Sequence, residues 1–379
     1  MKIIHIIPSL KTGGAERLVL DICSQLKKDK SIKIILVSLS EINDFKNESY
    51  DIEIKYIPSK VTLSITGKTH VEITKLTTFI SDFNPDIIHT HLFEAELISR
   101  WNINKKINYF THCHDNMSQL SGLTKHKSIK KNITDLYEKN MIIKRYLTCE
   151  NQFIVISKNT KQYFKSVLPK KLTQNIHLLS NAIDYKKFQN NNIKKPTKLR
   201  LINVGSFVAK KNQTFLIDIL LELKKRDIQC ELFLLGEGEE LQKVKDKAFV
   251  NGLKNEIHFL GNVNNVEEEL WKSHLYIHSA YYEPFGLVLL EAMAAGLPVV
   301  SLDGKGNRDF IKNGINGYIL ENEDPKLFSD IIMNLVHNKE LYGEIAEKGK
   351  VTAQQYDIKS YTTKLIDIYK ESMSSANRL

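Results

Sequence analysis

The chain has only four cysteines, Cys23, Cys113, Cys149 and Cys230, and no two of them form a Cys-x-x-Cys pair or a metal-like spacing. Scattered in this way they read as reduced thiols of a cytoplasmic protein rather than as a disulfide framework. Long hydrophobic runs are missing as well. The apolar start Ile3 to Ile7 is too short for the core of a signal peptide and runs directly into Pro8 and a glycine loop. No later run is long enough to span a bilayer. Zinc-finger spacing, a basic helix with heptads and an aromatic–basic RNA signature are also absent, so no nucleic-acid partner is expected. The Gly-x-Gly-x-x-Gly dinucleotide fingerprint is lacking too.

What is present is an ordinary globular composition, 42% hydrophobic and 26% charged, in 379 residues, a length that favours two domains. The net charge of +10 is unevenly placed. Residues 1–190 carry 29 Lys and Arg against 18 Asp and Glu, whereas residues 191–379 carry 25 against 26. That asymmetry points to an anionic membrane face or a phosphate-bearing acceptor on the N-terminal side, with a merely lysine-rich solvated surface as the alternative. The charge gathers at Lys125, Lys127, Lys130, Lys131, Lys139, Lys144 and Arg145, interleaved with Ile129, Ile133, Leu136, Met141 and Ile142. A basic amphipathic helix of that kind can lie on anionic lipid. The expectation is a cytoplasmic protein with peripheral contact at the inner face of the cytoplasmic membrane.

Short apolar runs alternate with helical patterns. Strands are expected at 3–7, 32–39, 52–57, 86–90, 107–111 and 152–156, and helices at about 70–82, 93–104 and 130–147. A Lys-, Gln- and Asn-rich stretch with Pro196, from Tyr185 to Lys198, looks like a linker. The pattern then restarts, with strands at 201–204, 232–235, 256–260, 275–279 and 299–301 and an amphipathic helix at about 360–373. The fold class is α/β, two Rossmann-like domains over 1–185 and 199–358, followed by a terminal segment 359–379.

One run carries most of the chemistry: Glu283-Pro-Phe-Gly286-Leu-Val-Leu-Leu-Glu291-Ala-Met-Ala-Ala-Gly296-Leu-Pro298. Pro284 suits a helix entry, Gly286 lets a ligand approach the backbone, and Gly296 with Pro298 stops a helix of three or four turns. Free amides at its start attract phosphate. Glu283 and Glu291, eight positions apart, flank that anion site as acceptors for hydroxyls on either side of a diphosphate. Solvated carboxylates on an ordinary amphipathic helix are the plain alternative.

In order and spacing this run resembles that of the GT-B glycosyltransferases, and within them glycosyltransferase family 4; the likeness extends over nearly the whole chain. The resemblance implies a cleft between two facing Rossmann-like domains, an N-terminal one for the acceptor and a C-terminal one for a nucleotide diphosphate sugar. The last helix is implied to cross back to the N-terminal domain. Glu283 is implied to touch the donor sugar and Glu291 the ribose, with Phe285, Gly286 and Leu287 at the donor between them. Lys211, after Gly205 at the end of a strand, matches the family's diphosphate lysine. Ser206 stands where the family usually has arginine, and Lys210 is a candidate replacement. Gly13-Gly14-Ala-Glu16-Arg17 resembles the family's opening loop, which places Gly14 at the donor and Glu16 at the acceptor. His114 matches a histidine near the reacting carbon, and His91 a weaker motif at the acceptor.

Gly236 and Gly238 resemble a strand-end turn facing the base, or form a turn only. Asn181 to Asp184 matches a family motif with Ala182 in place of glycine, and is expected to be structural. Asp303, Arg308 and Asp309, in a loop that departs from the family pattern, are candidates for tuning donor or acceptor choice. His89 and His112 are expected to be structural. The two His-x-His pairs are not expected to bind a metal, because no further ligand lies near them in sequence.

The implied reaction is transfer of a sugar from a nucleotide diphosphate sugar to a sugar or lipid-linked acceptor hydroxyl, with retained anomeric configuration, in bacterial cell-surface polysaccharide or glycolipid biosynthesis. His114, Glu283 and Lys211 are its catalytic candidates, and no cofactor or metal is required. Two alternatives stay open: a nucleotide-sugar epimerase on the same fold, and a catalytically silent sugar or nucleotide sensor, which Ser206 mildly favours.

Overall fold

The computed structural model describes residues 1–46, 51–64, 68–122, 128–189 and 195–376. Lys125 and Lys127, and the middle of the expected linker at 190–194, lie outside these residues. The chain divides into two compact units, Met1–Asn181 with Ile358–Leu379, and Ala182–Asp357.

The first unit holds seven parallel strands in the spatial order Ile54–Tyr56, Lys33–Ser38, Lys2–Ile7, Ile87–His91, Asn108–Cys113, Gln152–Val155 and Ile176–Leu178. The chain builds outward from Lys2–Ile7 in one direction, then returns to build on its other side. Ligands bind at such a reversal, beyond the carboxyl ends of the two central strands. Alternation divides the residues of Lys2–Ile7 between the two faces of the sheet. Ile4 and Ile6 pack with Ile35, Val37, Leu76 and Ile88 on one side. His5 belongs to the opposite face, where Tyr369 of the terminal helix Ile358–Ala376 reaches it. That helix also packs on Gly14–Leu26.

Local differences from the sequence expectation have identifiable causes. Residues 70–72 form a strand, paired antiparallel with Lys60–Thr62, and the helix begins only at Thr74. The helix Phe93–Ser99 stops at Arg100, whose buried guanidinium donates to Asn151 Oδ1, Thr90 Oγ1 and the Phe110 carbonyl.

The second unit repeats the scheme with six parallel strands, in the order Ile257–Gly261, Cys230–Leu235, Leu199–Val204, Leu275–His278, Val299–Leu302 and Tyr318–Leu320. Its reversal falls between Leu199–Val204 and Leu275–His278. The helices Gln213–Lys225 and Pro325–His337 pack over one core around Leu216, Leu220, Leu232, Val300, Phe328 and Ile332. The stretch read as a linker begins as a short helix, Tyr185–Phe188, inside this unit. Asp184 caps it, and the Phe188 carbonyl accepts from Trp271 Nε1 at 2.8 Å.

Candidate active site

In the second unit the chain leaves Val204 through Gly205 and passes a 3-10 turn, Ala209–Lys211, before the helix Gln213–Lys225. Asn212 turns the corner in the left-handed region, with φ 49°. Ser279, just past the neighbouring strand Leu275–His278, ties the two strand ends together, its hydroxyl donating to the Lys211 carbonyl at 2.7 Å. Lys211 is thereby aimed at Glu283, and its ammonium forms an ion pair with the carboxylate. His278 Nε2 lies 3.2 Å from the same carboxylate oxygen, close but off-line for a hydrogen bond. Glu283 is only 7% exposed. Burial alone would raise its carboxyl, but the Lys211 ammonium and His278 outweigh that and hold it well below the usual carboxylate range.

The backbone of Glu283 is fixed by the loop after Val299–Leu302. Its N–H donates to the Gly304 carbonyl at 2.7 Å, and its carbonyl accepts from Gly306 N–H at 3.0 Å. A Cβ at Gly306 would lie 2.0 Å from the Pro284 carbonyl oxygen, so only glycine permits this approach. Asn307 holds the same loop, accepting from Gly304 N–H and donating to Ser301 Oγ and the Leu302 carbonyl. Asp303 accepts from Arg308 Nε and Lys305 N–H. Asp303 and Arg308, candidates for specificity in the sequence, therefore brace the loop against which Glu283 is held.

The helix that follows is Leu287–Ala294, two turns rather than three or four. Gly296 at φ 78° ends it, with Gly296 N–H bonding to Met293 and Leu297 N–H to Ala292, a Schellman closure. Pro284 stands ahead of the N-cap Gly286 rather than in the first turn. The N-cap, Gly286, has no side chain to close the helix start, and Leu289 N–H turns back to the Gly286 carbonyl at 3.1 Å, which leaves the amides of Leu287 and Val288 for an anion. Phe285 is placed differently from its expected donor role: its ring is buried against Phe310 and Tyr356, which leaves only its main chain for a ligand. Both Glu283 and Glu291 act on the buried Tyr276 hydroxyl, which burial pushes well above its ordinary value and the two carboxylates push further. Gly205 and Gly236 lie in adjacent strand-end loops. A Cβ at Gly236, at φ 126°, would strike the Gly205 carbonyl at 2.3 Å, so loop packing already requires that glycine.

The first unit assembles a different set of groups at its own reversal. Glu16 folds back over the start of Gly14–Leu26, filling the space where a Gly13 side chain would be, and burial raises its carboxyl. His5, His89, His91 and His112 are fully buried on three neighbouring strands, with His114 partly exposed beyond them. Register sets His5 beside His89 and His91 beside His112. His5 Nδ1 is 2.9 Å from His91 Nε2, and His91 Nδ1 is 2.9 Å from His114 Nε2. Burial pushes His5 down to about 3 and His112 to about 4, and His89, His91 and His114 also well below the usual imidazole range. All five rings are neutral at pH 7. Leu92, next to His91, sits at φ 68° and ψ 151°, a strained position for leucine.

Two histidine triads, His5–His89–His91 and His91–His112–His114, come within metal-binding distance. In the second triad the ring planes oppose it. His112 and His114 stack at 4.2 Å with planes 6° apart, so their in-plane lone pairs run side by side instead of converging.

Two family profiles cover most of the chain: "Glycosyltransferase Family 4" matches residues 12–187 and "Glycosyl transferases group 1" residues 184–352. The chain belongs to glycosyltransferase family 4. Among relatives of this family-4 chain, the poly(glycerol-phosphate) alpha-glucosyltransferase of Bacillus subtilis is 26% identical over 165 residues, 43% of this chain and 24% of the relative. The lipopolysaccharide core biosynthesis glycosyltransferase LpsE of Rhizobium meliloti is 30% identical over 152 residues, 40% of this chain and 44% of LpsE. The matched part thus spans less than half the length of these curated relatives. The solved structure of Anabaena HepE in complex with UDP-glucose superposes with a TM-score of 0.78 at 19% identity, over 99% of this chain and 100% of HepE. That likeness identifies the fold as GT-B, with two Rossmann-like parallel sheets.

Within this family-4 chain, the second unit brings Gly205, Lys211, Glu283, Gly286, Leu287 and Glu291 to one sheet reversal, and the first gathers Gly14, Glu16, His91 and His114 at the other. Sequence reasoning missed His278, His5 and Tyr369. His278 carried a usable signal, a histidine at a strand end five residues before Glu283. His5 and Tyr369 carried none, because strand register and the terminal helix bring them in.

Proposed function

We propose that this family-4 chain transfers a sugar from a nucleoside diphosphate sugar to an acceptor hydroxyl with retention of anomeric configuration. The observation that carries this reading is the buried Glu283 carboxylate paired with Lys211 beside the glycine-capped start of Leu287–Ala294. Lys211 and the helix amides meet the diphosphate and stabilise the charge it gains as the anomeric carbon–oxygen bond breaks. Glu283 orients the sugar and Glu291 holds the ribose. The acceptor oxygen bonds to the same face of the anomeric carbon, and its proton passes to the leaving phosphate oxygen. His114 is assigned to the sugar and Glu16 to the acceptor, while His91, fully buried with its two ring nitrogens against His5 and His114, backs His114 instead of meeting the acceptor. The solved relative holding UDP-glucose supports a UDP-sugar donor. The names of the two curated relatives support a cell-surface glycan or glycolipid acceptor.

Thermal shift with UDP-, GDP- and ADP-sugars tests the site. A saturating UDP-sugar at a hundredfold its Kd should stabilise the protein by about 2.7 kcal/mol, and Glu291→Ala should abolish the shift. No shift with any nucleotide sugar would overturn the reading.

We also infer peripheral contact with an anionic membrane through the helix Ile129–Thr148. No helix among the described residues is long and apolar enough to cross a bilayer. On this one, Ile129, Ile133 and Leu136 are 81%, 49% and 41% exposed. Ile129 and Ile133 border a groove of about 1030 Å³ that also involves Val61, Leu63 and Phe93. The basic face is narrower than its sequence suggests: Lys131 pairs with Asp135, Arg145 lies over the Trp101 ring, and Ile142 is in the core. Replacing Lys130, Lys139 and Lys144 by glutamine should abolish sedimentation with phosphatidylglycerol vesicles; undiminished binding would remove the membrane contact.

A further inference from the structure

The terminal helix places the Tyr369 hydroxyl 2.5 Å from His89 Nδ1 and 3.3 Å from His5 Nε2. From His5 the contacts continue through His91 to His114 as an unbroken line of nitrogens. A neutral imidazole carries one N–H and one lone pair, so each ring must donate from one nitrogen and accept at the other. The line therefore has two arrangements, with all its protons directed toward His114 or all directed away.

The branch at His89 decides between them. His89 Nε2 is buried without a partner. If Tyr369 donated to His89, that nitrogen would be a buried N–H with nothing to bond. If His89 Nδ1 donates to Tyr369, the orphan is only a lone pair, and orphaned donors are the rarer and costlier case. Tyr369 then donates to His5 Nε2, His5 Nδ1–H to His91 Nε2, and His91 Nδ1–H to His114 Nε2. The proton of His114 is left on Nδ1.

We propose that Tyr369 and His5 are positioning residues that act through His91 to fix the tautomer of His114, so that its Nδ1–H is presented to the donor sugar. This rests on the assignment of His114 to the sugar made above. A free neutral imidazole prefers its proton on Nε2, so without the line His114 should revert to that form and offer the sugar a lone pair instead of a donor.

The test is the ¹⁵N spectrum of histidine-labelled protein at pH 7.5, with the His114 signals identified by their loss in His114→Gln. The wild type should show the Nδ1–H form. Tyr369→Phe, which removes one hydroxyl and keeps the ring, and His5→Phe should both shift His114 toward Nε2–H. In both, kcat should fall about tenfold while KM for the donor stays within about twofold. An Nε2–H form in the wild type, or an unchanged tautomer in Tyr369→Phe, overturns the relay. A shifted tautomer with unchanged kcat overturns its positioning role. The spectrum needs no turnover, so absence of glycosyl transfer would count against the assigned reaction and leave the relay to be judged on its own signals.

Discussion

The two units use the same sheet reversal for opposite electrostatics. The N-terminal half carries all of the excess positive charge, yet its reversal is lined by five neutral imidazoles. The C-terminal half is nearly balanced, yet its reversal holds a buried carboxylate paired with a half-buried ammonium. Net charge thus describes each unit's surface, and the chemistry is set by what lies at the strand ends. A charged pair suits a diphosphate and its departing charge, whereas neutral donors and acceptors suit hydroxyls.

The sharpest way to break this contrast is Lys211→Met, which strands the Glu283 carboxylate in a buried site. Loss of one partner from a buried pair costs about 3–5 kcal/mol. The transfer rate should fall about 10²–10³-fold. Adding Glu283→Gln should restore much of the stability in chemical denaturation without restoring turnover. Recovery of both would show that the pair is only structural. The pair also has a pH signature. Glu283 titrates lower folded than unfolded, so its contribution is complete above about pH 4.3 and is lost as pH falls toward the depressed folded value.

Acid should separate the units, since the histidines respond earlier. Their folded values lie below the unfolded value near 6.5, so the unfolded chain binds protons first and stability declines as pH drops from there. At pH 5, His5 and His112 should each cost the first unit about 2 kcal/mol. Each unit has one tryptophan, Trp101 in the first and Trp271 in the second. Fluorescence of Trp271→Phe should therefore report loss of the first unit between pH 6 and 4, ahead of the transition seen in Trp101→Phe. Coincident transitions would show that the imidazole cluster does not set acid stability.

The same contrast explains what was legible in the sequence. The charged site is nearly contiguous: Glu283, Gly286 and Glu291 lie within nine residues, and Lys211 follows a strand and a glycine. Its order survives in the chain as a motif. The alternating βα pattern likewise revealed both sheets. The imidazole site is assembled by register and by a helix from the far end of the chain, with His5 and Tyr369 separated by 364 positions. No local pattern encodes that meeting. Phe285 shows the limit in the other direction, a motif residue whose ring serves the core. The helix after it is shorter than its sequence suggests because it starts only at Leu287, past Gly286 in the left-handed region, and not at Pro284, whereas its stop at Gly296 lies where the sequence places it.

The smallest effect is expected at Lys210, and it bears on where the second unit keeps its charge. Ser206, where the family usually has arginine, is exposed, and Lys210 is the nearest candidate to replace that charge. Its ammonium lies 5.4 Å from the centre of the half-buried Tyr282 ring, an attraction of about 1 kcal/mol. An ammonium placed over a ring contributes less to a diphosphate than one paired beside the helix start. Lys210→Ala should therefore lower kcat/KM by no more than about fivefold, against the hundredfold or greater loss in Lys211→Met. Losses of equal size would place the diphosphate between the two lysines. Ser206→Arg should then raise kcat/KM in the Lys210→Ala background, because it returns the charge from the other side of the loop.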